Sequence, residues 1–459
     1  MRTKISIRHV DLSIFNRMHL EGLLVTARRS APLFYAGDMQ VRITDWFFFK
    51  KKAELKYIGL ENALIKFQRK DSVWNNQFLF DYFSSNDTSK SSKKGGIEFN
   101  LKKVSLKNVA FVKKDAWIGD DMIVYIGGLQ LDADEINFSR KIVEVSSLNI
   151  SDPIVALRNY SGLRPEKKSI EKPASVTDSS LEWNPDNWVM HVAKLKINNG
   201  TFKTDKEDSL PVLSSFDGKH IDFNHIDGDF TNVRWDRDTI STNLKLSTKE
   251  SSGFEVKNMM ADVKFTPHEM TFDHLDIHTN NSIIKNYFSM SYDDFNDMDD
   301  FVNKINMTGN FEGSEIESDD IAYFAPALRS WKKKIRLKGN VRGPVNELVG
   351  RNLVIQAGGN TLLNGDISLT GLPDIDQTFI DFKANDFRTT YGDAVTIVPQ
   401  LRQVKNPDLR KIQYMRFTGS FTGFIHDFVT FGTIETNLGV INCDLNKKLP
   451  SRQELLYSG

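Results

Sequence analysis

The sequence predicts a mainly β protein, an elongated and twisted antiparallel sheet curled into a groove, with a few short amphipathic helices in its C-terminal third. Three observations predict it: a hydrophobic period of two, short turn signals between the periodic stretches, and the persistence of both through most of the 459 residues.

A period of two belongs to a strand with one buried face. Ile97, Phe99 and Leu101 alternate with Glu98 and Asn100, Ile221 and Phe223 with Asp222 and Asn224, and Phe254 and Val256 with Glu255 and Lys257. Lys107-Asn108, Asn198-Asn199-Gly200, Asp227-Gly228 and Asn364-Gly365 read as the turns of antiparallel hairpins. A sandwich domain of about 100 residues closes after roughly seven to nine strands. Here the alternation continues, so an open array fits better.

Two polar stretches interrupt it. Ser84 to Gly96 reads as a mobile loop with a lysine-rich tip, and Gly162 to Glu182, with Pro165 and Pro173, as a linker. They divide the chain into an N-terminal β-repeat segment at 1–161 carrying the loop at 84–96, the linker at 162–182, a central β-repeat segment at 183–305, and duplicated helix plus glycine-strand units at 306–459. The duplication is visible directly. Met307-Thr308-Gly309-Asn310-Phe311-Glu312-Gly313 recurs as Leu337 to Gly343 and as Phe417 to Gly423, and Asp320…Pro326-x-Leu328-Arg329 recurs as Asp393…Pro399-x-Leu401-Arg402. Around Asp320 the spacing predicts a helix capped by Ser318, with Ile321, Phe324, Leu328 and Trp331 on one face.

Composition excludes several function classes. Sixty basic residues balance sixty acidic ones, so no overall basic field exists to hold nucleic acid. A single cysteine, Cys443, rules out an internal disulfide framework and zinc sites built on several thiolates. The N-terminus shows no signal-peptide pattern, and no run of about 18 apolar residues occurs anywhere in the chain.

Chemistry-bearing motifs are equally scarce. Phosphate loop, nucleophile elbow, zinc-protease helix and calcium loop are all absent from the sequence. His274-Leu275-Asp276-Ile277-His278 is the best metal candidate, but side chains two residues apart on a strand lie about 7 Å apart, wider than one ion bridges, and a polar solvent face is the expectation. The acidic stretch Asp293 to Asp300 reads as a solvated turn, and the aromatic and lysine cluster Asp45 to Lys52 as a covered strand followed by a basic turn. The expectation is a protein with neither catalytic residues nor a metal or other cofactor.

An open sheet leaves an apolar face that must be covered, because monomers rarely expose more than a few hundred square ångströms of such surface. Curling it into a trough that solvates acyl chains is one solution. The candidate lining residues are Ile97, Phe99, Leu101, Ile123, Tyr125, Ile221, Phe223, Phe254, Val256, Phe272 and Ile277. A structural or adhesive β-repeat protein with a dry, closed core is the alternative.

Several segments carry a family resemblance: Ile5 to Leu12, Leu20-Glu21-Gly22-Leu23, Asp71-Ser72-Val73-Trp74-Asn75, Val104-Ser105-Leu106-Lys107-Asn108-Val109 and Leu195 to Phe202, with the glycine repeats. In this order along almost the whole chain, they resemble the TamB branch of the AsmA-like superfamily. The resemblance implies a β-taco, a long sheet folded along its length with an apolar concave face. It further implies bridge-like phospholipid transport between the inner and outer membranes of a Gram-negative envelope, a periplasmic location, and an outer-membrane barrel partner of the TamA type. The family's inner-membrane anchor and barrel-docking domain are not recognisable in this sequence, so neither role is assigned to residues.

Overall fold

Strands with one apolar face satisfy their backbone groups by pairing edge to edge, and the computed structural model shows a chain built mainly from such pairs. It describes residues 4–13, 17–26, 32–43, 53–77, 97–138, 140–165, 182–212, 214–326, 329, 332–397, 399–404, 408–448 and 456–458. Two compact units are formed, one by Met1–Leu213 with Asp217–Gly253, the other by Ser214–Phe216 with Phe254–Gly459.

The first unit contains β1 (Lys4–Ser6), β2 (His9–Ser13), β3 (Arg17–Thr26), β4 (Pro32–Ile43), β5 (Ala53–Arg69), β6 (Ile97–Asp115), β7 (Asp120–Asn137), β8 (Ile142–Asn159), β9 (Val189–Lys206), β10 (Asp222–Asp236) and β11 (Thr239–Glu250). β1 and β2 share one edge of β3, and from β3 onward each strand pairs with the next. The pairing is antiparallel except at β5–β6 and β8–β9, which are parallel. A tight turn cannot join parallel neighbours, since the chain must first travel back along the strand. For β5 and β6, of 17 and 19 residues, that return is about 60 Å at roughly 3.3 Å per residue. Residues 70–96 and 160–188 supply the two returns. Of the polar stretches read from the sequence, 84–96 and 166–181 lie outside the described residues.

Where each return begins, an arginine ties the outgoing strand to its parallel neighbour. Arg69 donates through Nε and Nη2 to both carboxylate oxygens of Asp115 at 2.7 Å, and its guanidinium lies 4.7 Å from the ring centre of Trp74. Asn75 occupies the Gln68 backbone, accepting from its N–H at 2.9 Å and donating to its carbonyl at 3.0 Å. At the second return Arg158 stands 3.7 Å from Asp205 and over Tyr160 at 5.6 Å.

The second unit contains β12 (Glu255–Thr266), β13 (Glu269–Thr279), β14 (Ile283–Ser291), β15 (Asn306–Glu317), β16 (Lys334–Gly343), β17 (Glu347–Ala357), β18 (Thr361–Thr370), β19 (Phe379–Thr390), β20 (Tyr414–Gly423), β21 (Phe428–Thr436), β22 (Gly439–Lys448) and β23 (Leu456–Ser458). They pair antiparallel in chain order.

Short helices follow β15 and β19, at Ser318–Ile321 and Tyr391–Ile397. The first is shorter than its spacing predicts. Glu317, not Ser318, holds the N-cap position, and Leu328 and Trp331 lie outside the described residues. The structure also gives the repeated aspartate a role. Asp320 accepts from Thr279 Oγ1, from the Asn281 backbone N–H at 3.0 Å and from Asn281 Nδ2 at 3.1 Å, in the β13–β14 turn. Asp393 accepts from the Asn360 N–H at 2.7 Å and the Thr361 hydroxyl at 3.5 Å, in the β17–β18 turn. In both copies a helix that follows a strand reaches back to close the turn of the preceding hairpin. Each helix is then followed by a glycine strand, β16 or β20, so the duplicated unit is a structural one.

Candidate functional site: a creased apolar face

Cross-strand partners in a sheet share a face, so the registers identify what each face carries. In the first unit one row runs through Phe34, Ile65, Phe111, Val124, Val155, Phe202 and Phe223. A second runs through Met39, Leu60, Leu106, Leu129, Ile150 and Ile197, and a third through Val41, Ile58, Val104, Leu131, Leu148, Leu195 and Phe230. The opposite face carries exposed cross-strand ion pairs, such as Lys107 with Glu61 at 2.6 Å and Lys103 with Asp132 at 2.9 Å.

The apolar positions change parity within each strand. On β5 they are Ile58 and Leu60, then Ala63, Ile65 and Phe67; on β6, Val104 and Leu106, then Val109 and Phe111. The switch occurs at a transverse row of Gly22, Gly37, Asn62, Asn108, Gly127, Asp152 and Asn199, which face one another from strand to strand and drop out of the paired registers. Gly22, Asn62, Asn108, Asp152 and Asn199 have φ between 50° and 62°, the left-handed region in which an extended strand bends. Residues from both sides of this row, including Leu20, Leu23, Ala36, Ala63 and Val109, pack into one cluster with Ala36 fully buried. Side chains converge on the inside of a bend, so the apolar face is the inner face of a crease.

The second unit has a transverse row of its own, built by a different device. Every adjacent pair from β12–β13 to β19–β20 carries a register shift at it. From β12–β13 to β17–β18 the shifts fall beside His274, Asn286, Gly313, Gly339 and Asn352, which have positive φ. Phe272, Phe288 and Gly309, then Ile367, Phe382 and Phe421, line one side; Leu337, Ile355, Leu363, Phe387, Phe417 and Ile434 line the other. Most of these side chains are half-buried, the lining of an open face and not of a closed core.

This arrangement corrects the turn signals. Lys107-Asn108, Asn198-Asn199-Gly200, Asp227-Gly228 and Asn364-Gly365 lie inside β6, β9, β10 and β18, not between strands. Asn108 and Asn199 adopt left-handed backbone, which Asn accepts readily and which a mid-strand crease needs as much as a hairpin does. The true turns include Trp117 to Gly119, and Asn437-Leu438.

Of the expected lining residues, Phe223 lies in the first apolar row, Leu101 packs against the buried cluster of Ala133, Ile136 and Val145, Phe272 pairs with Val263 and Phe288, and Ile277 with Met259 and Ile284. Val256 lies opposite Thr279, and Ile221 just before β10, bonded through its backbone to Thr204. Ile97 and Phe99 stand opposite Ala53 and Leu55 on β6, with side chains outside the described set. Ile123 and Tyr125 are on the other face: Val124 is the inward residue, Ile123 is 43% exposed, and the Tyr125 hydroxyl donates to Asn108 on the outside of the crease. Phe254 is covered, packing on Tyr323 and Phe324 beside the helix at 5.7 and 5.1 Å between ring centres. Phe34, Ile65, Phe111, Val155 and Phe202 were missed by alternation alone. The signal for Ile65 and Phe111 is apolar-x-Asn-apolar-x-apolar, as in Leu60-Glu61-Asn62-Ala63-Leu64-Ile65 and Leu106-Lys107-Asn108-Val109-Ala110-Phe111, and Phe34 carries it in reverse, in Phe34-Tyr35-Ala36-Gly37-Asp38-Met39.

Among the described residues no group of three histidine, cysteine or acidic side chains converges as metal ligands. His274 is a crease residue, 2.8 Å from Asp262, and His278 stands 3.0 Å from Asp276. The hydrogen bond to Asp38 raises the His19 pKa on the outer face. The cluster Asp45 to Lys52 lies outside the described residues. No described helix is long and apolar enough to cross a membrane. No protein-family model matches the chain, and no curated protein matches it.

Proposed function

We propose that the creased sheet is a trough for lipid acyl chains and that the protein is a bridge-like phospholipid carrier. One observation carries the reading: apolar rows run without interruption across β4–β9 on both sides of the crease, and their side chains stay half-buried. Such a surface gains about 0.8 kcal/mol for each methylene it takes out of water. Continuity from strand to strand lets a chain slide from one site to the next without a chemical step, while headgroups remain at the charged rim, where Lys113 and Arg69 continue the inner rows. The resemblance to the AsmA-like superfamily supports transport across a Gram-negative periplasm, with a TamA-type barrel as partner.

Uptake of a fluorescent phospholipid from vesicles tests the reading. Phe111→Asp and Phe223→Asp place a charge in the inner rows and are expected to cut uptake at least tenfold, whereas Ile123→Asp, on the outer face of the neighbouring strand, leaves it unchanged. Equal loss in all three, or in none, would sink the proposal.

A further inference from the structure

We infer that the transverse row in the first unit is a hinge line that sets how wide the trough opens; this rests on reading the inner face as a lipid site. At this row the backbone ladder is interrupted. Asn62 and Asn108, Asn108 and Gly127, and Gly127 and Asp152 face each other without entering the paired registers, while residues on either side pair continuously. Side-chain hydrogen bonds on the outer surface link β5 to β6, β6 to β7 and β8 to β9 there. Asn108 Nδ2 donates to Asn62 Oδ1 at 3.1 Å, Tyr125 Oη to Asn108 Oδ1 at 3.1 Å, and Asn199 Nδ2 to Asp152 Oδ1 at 2.6 Å. All are exposed, so water replaces any one of them at small net cost, whereas bending elsewhere breaks ladder bonds. Bending therefore concentrates at the row, and the two arms move as rigid plates.

The residues beside the row fit this role. On the inside of the row Ala36 and Ala63 are small and pack between Leu23 and Val109, while bulkier Phe34, Ile65 and Phe111 stand farther out on the arm. The row thus regulates capacity: a narrow angle holds one layer of acyl chain, and a wider one admits chains side by side.

Two spin labels on β6 read the angle directly. Lys103 and Lys114 are exposed, lie on either side of Asn108, and are replaced by cysteines in a Cys443→Ser background. On a straight strand residues eleven apart are about 36 Å apart. The expected result is a mean distance well below that, moving by several ångströms when the protein is loaded from dioleoylphosphatidylcholine vesicles. Asn108→Val with Asn62→Val, whose branched side chains disfavour the left-handed region, is expected to lengthen the distance and lower uptake about fivefold. Asn108→Gly keeps the backbone but removes the amide bonds; it is expected to fold, bind lipid and broaden the distance distribution. A distance unchanged by loading and by Asn108→Gly, in protein that does take up lipid, overturns the hinge and leaves the trough standing. Absence of uptake by the unsubstituted protein overturns the trough itself.

Discussion

Asp320 illustrates how a single carboxylate fixes an element. Burial pushes its pKa up, but hydrogen bonds from Thr279, Ser282 and Asn281 outweigh burial and hold it below the ordinary value. Asp115, balanced by Arg69 and the Ile118 N–H, and Glu250, by Ser252 and Ser251, are depressed in the same way. A depressed carboxyl contributes stability that is complete above its unfolded pKa and lost as pH falls through the folded one. The melting midpoint is therefore expected to stay level from neutrality to about pH 5 and to fall steeply below about pH 4. Asp320→Ala should lower stability at neutral pH by about 3 kcal/mol, because donors in a buried turn lose their acceptor, and should shallow the acid slope. A midpoint that rises on acidification would contradict this. The repeat that contains Asp320 and Asp393 was legible in the sequence. Its purpose was not, because the partner turns lie some 30 to 40 residues upstream and no local pattern announces them.

Among elements, the strands were more legible than their junctions. Alternation located β6, β10, β12 and β13, yet it misplaced the turns and assigned Ile123 and Tyr125 to the wrong face. The cause is that a crease inverts parity: Val124 follows from Ile126 and Leu129 only when the two glycines between them are counted as a bend. The parallel joints at β5–β6 and β8–β9 were hidden for a related reason, since a polar connection looks the same whether it closes a hairpin or carries the chain back. Gly127 gives an element-level test. A β-carbon there would lie 2.9 Å from the Asp152 β-carbon and 3.1 Å from the Ser151 carbonyl oxygen. Gly127→Val is expected to open β7–β8 at the crease, seen as faster amide exchange in residues 126–128 and 151–153 with β3–β5 protected. Unchanged exchange would show that the close approach is dispensable.

At the scale of the molecule, the mainly β architecture and its inner and outer faces follow from registers, and each of the two units carries a transverse crease of its own. Alternation, crease and apolar rows are one design: left-handed residues bend β3, β5, β6, β8 and β9, the bend switches parity, and the switch keeps apolar side chains inward on both arms. A dry structural array would have the same strands but would fill that interior with its own side chains. Native mass spectrometry of the purified protein, followed by lipid extraction, separates the two most directly. The trough predicts adducts at phospholipid mass that disappear in Phe111→Asp and persist in Ile123→Asp. A single lipid-free species that also fails to take up phospholipid from vesicles would contradict it.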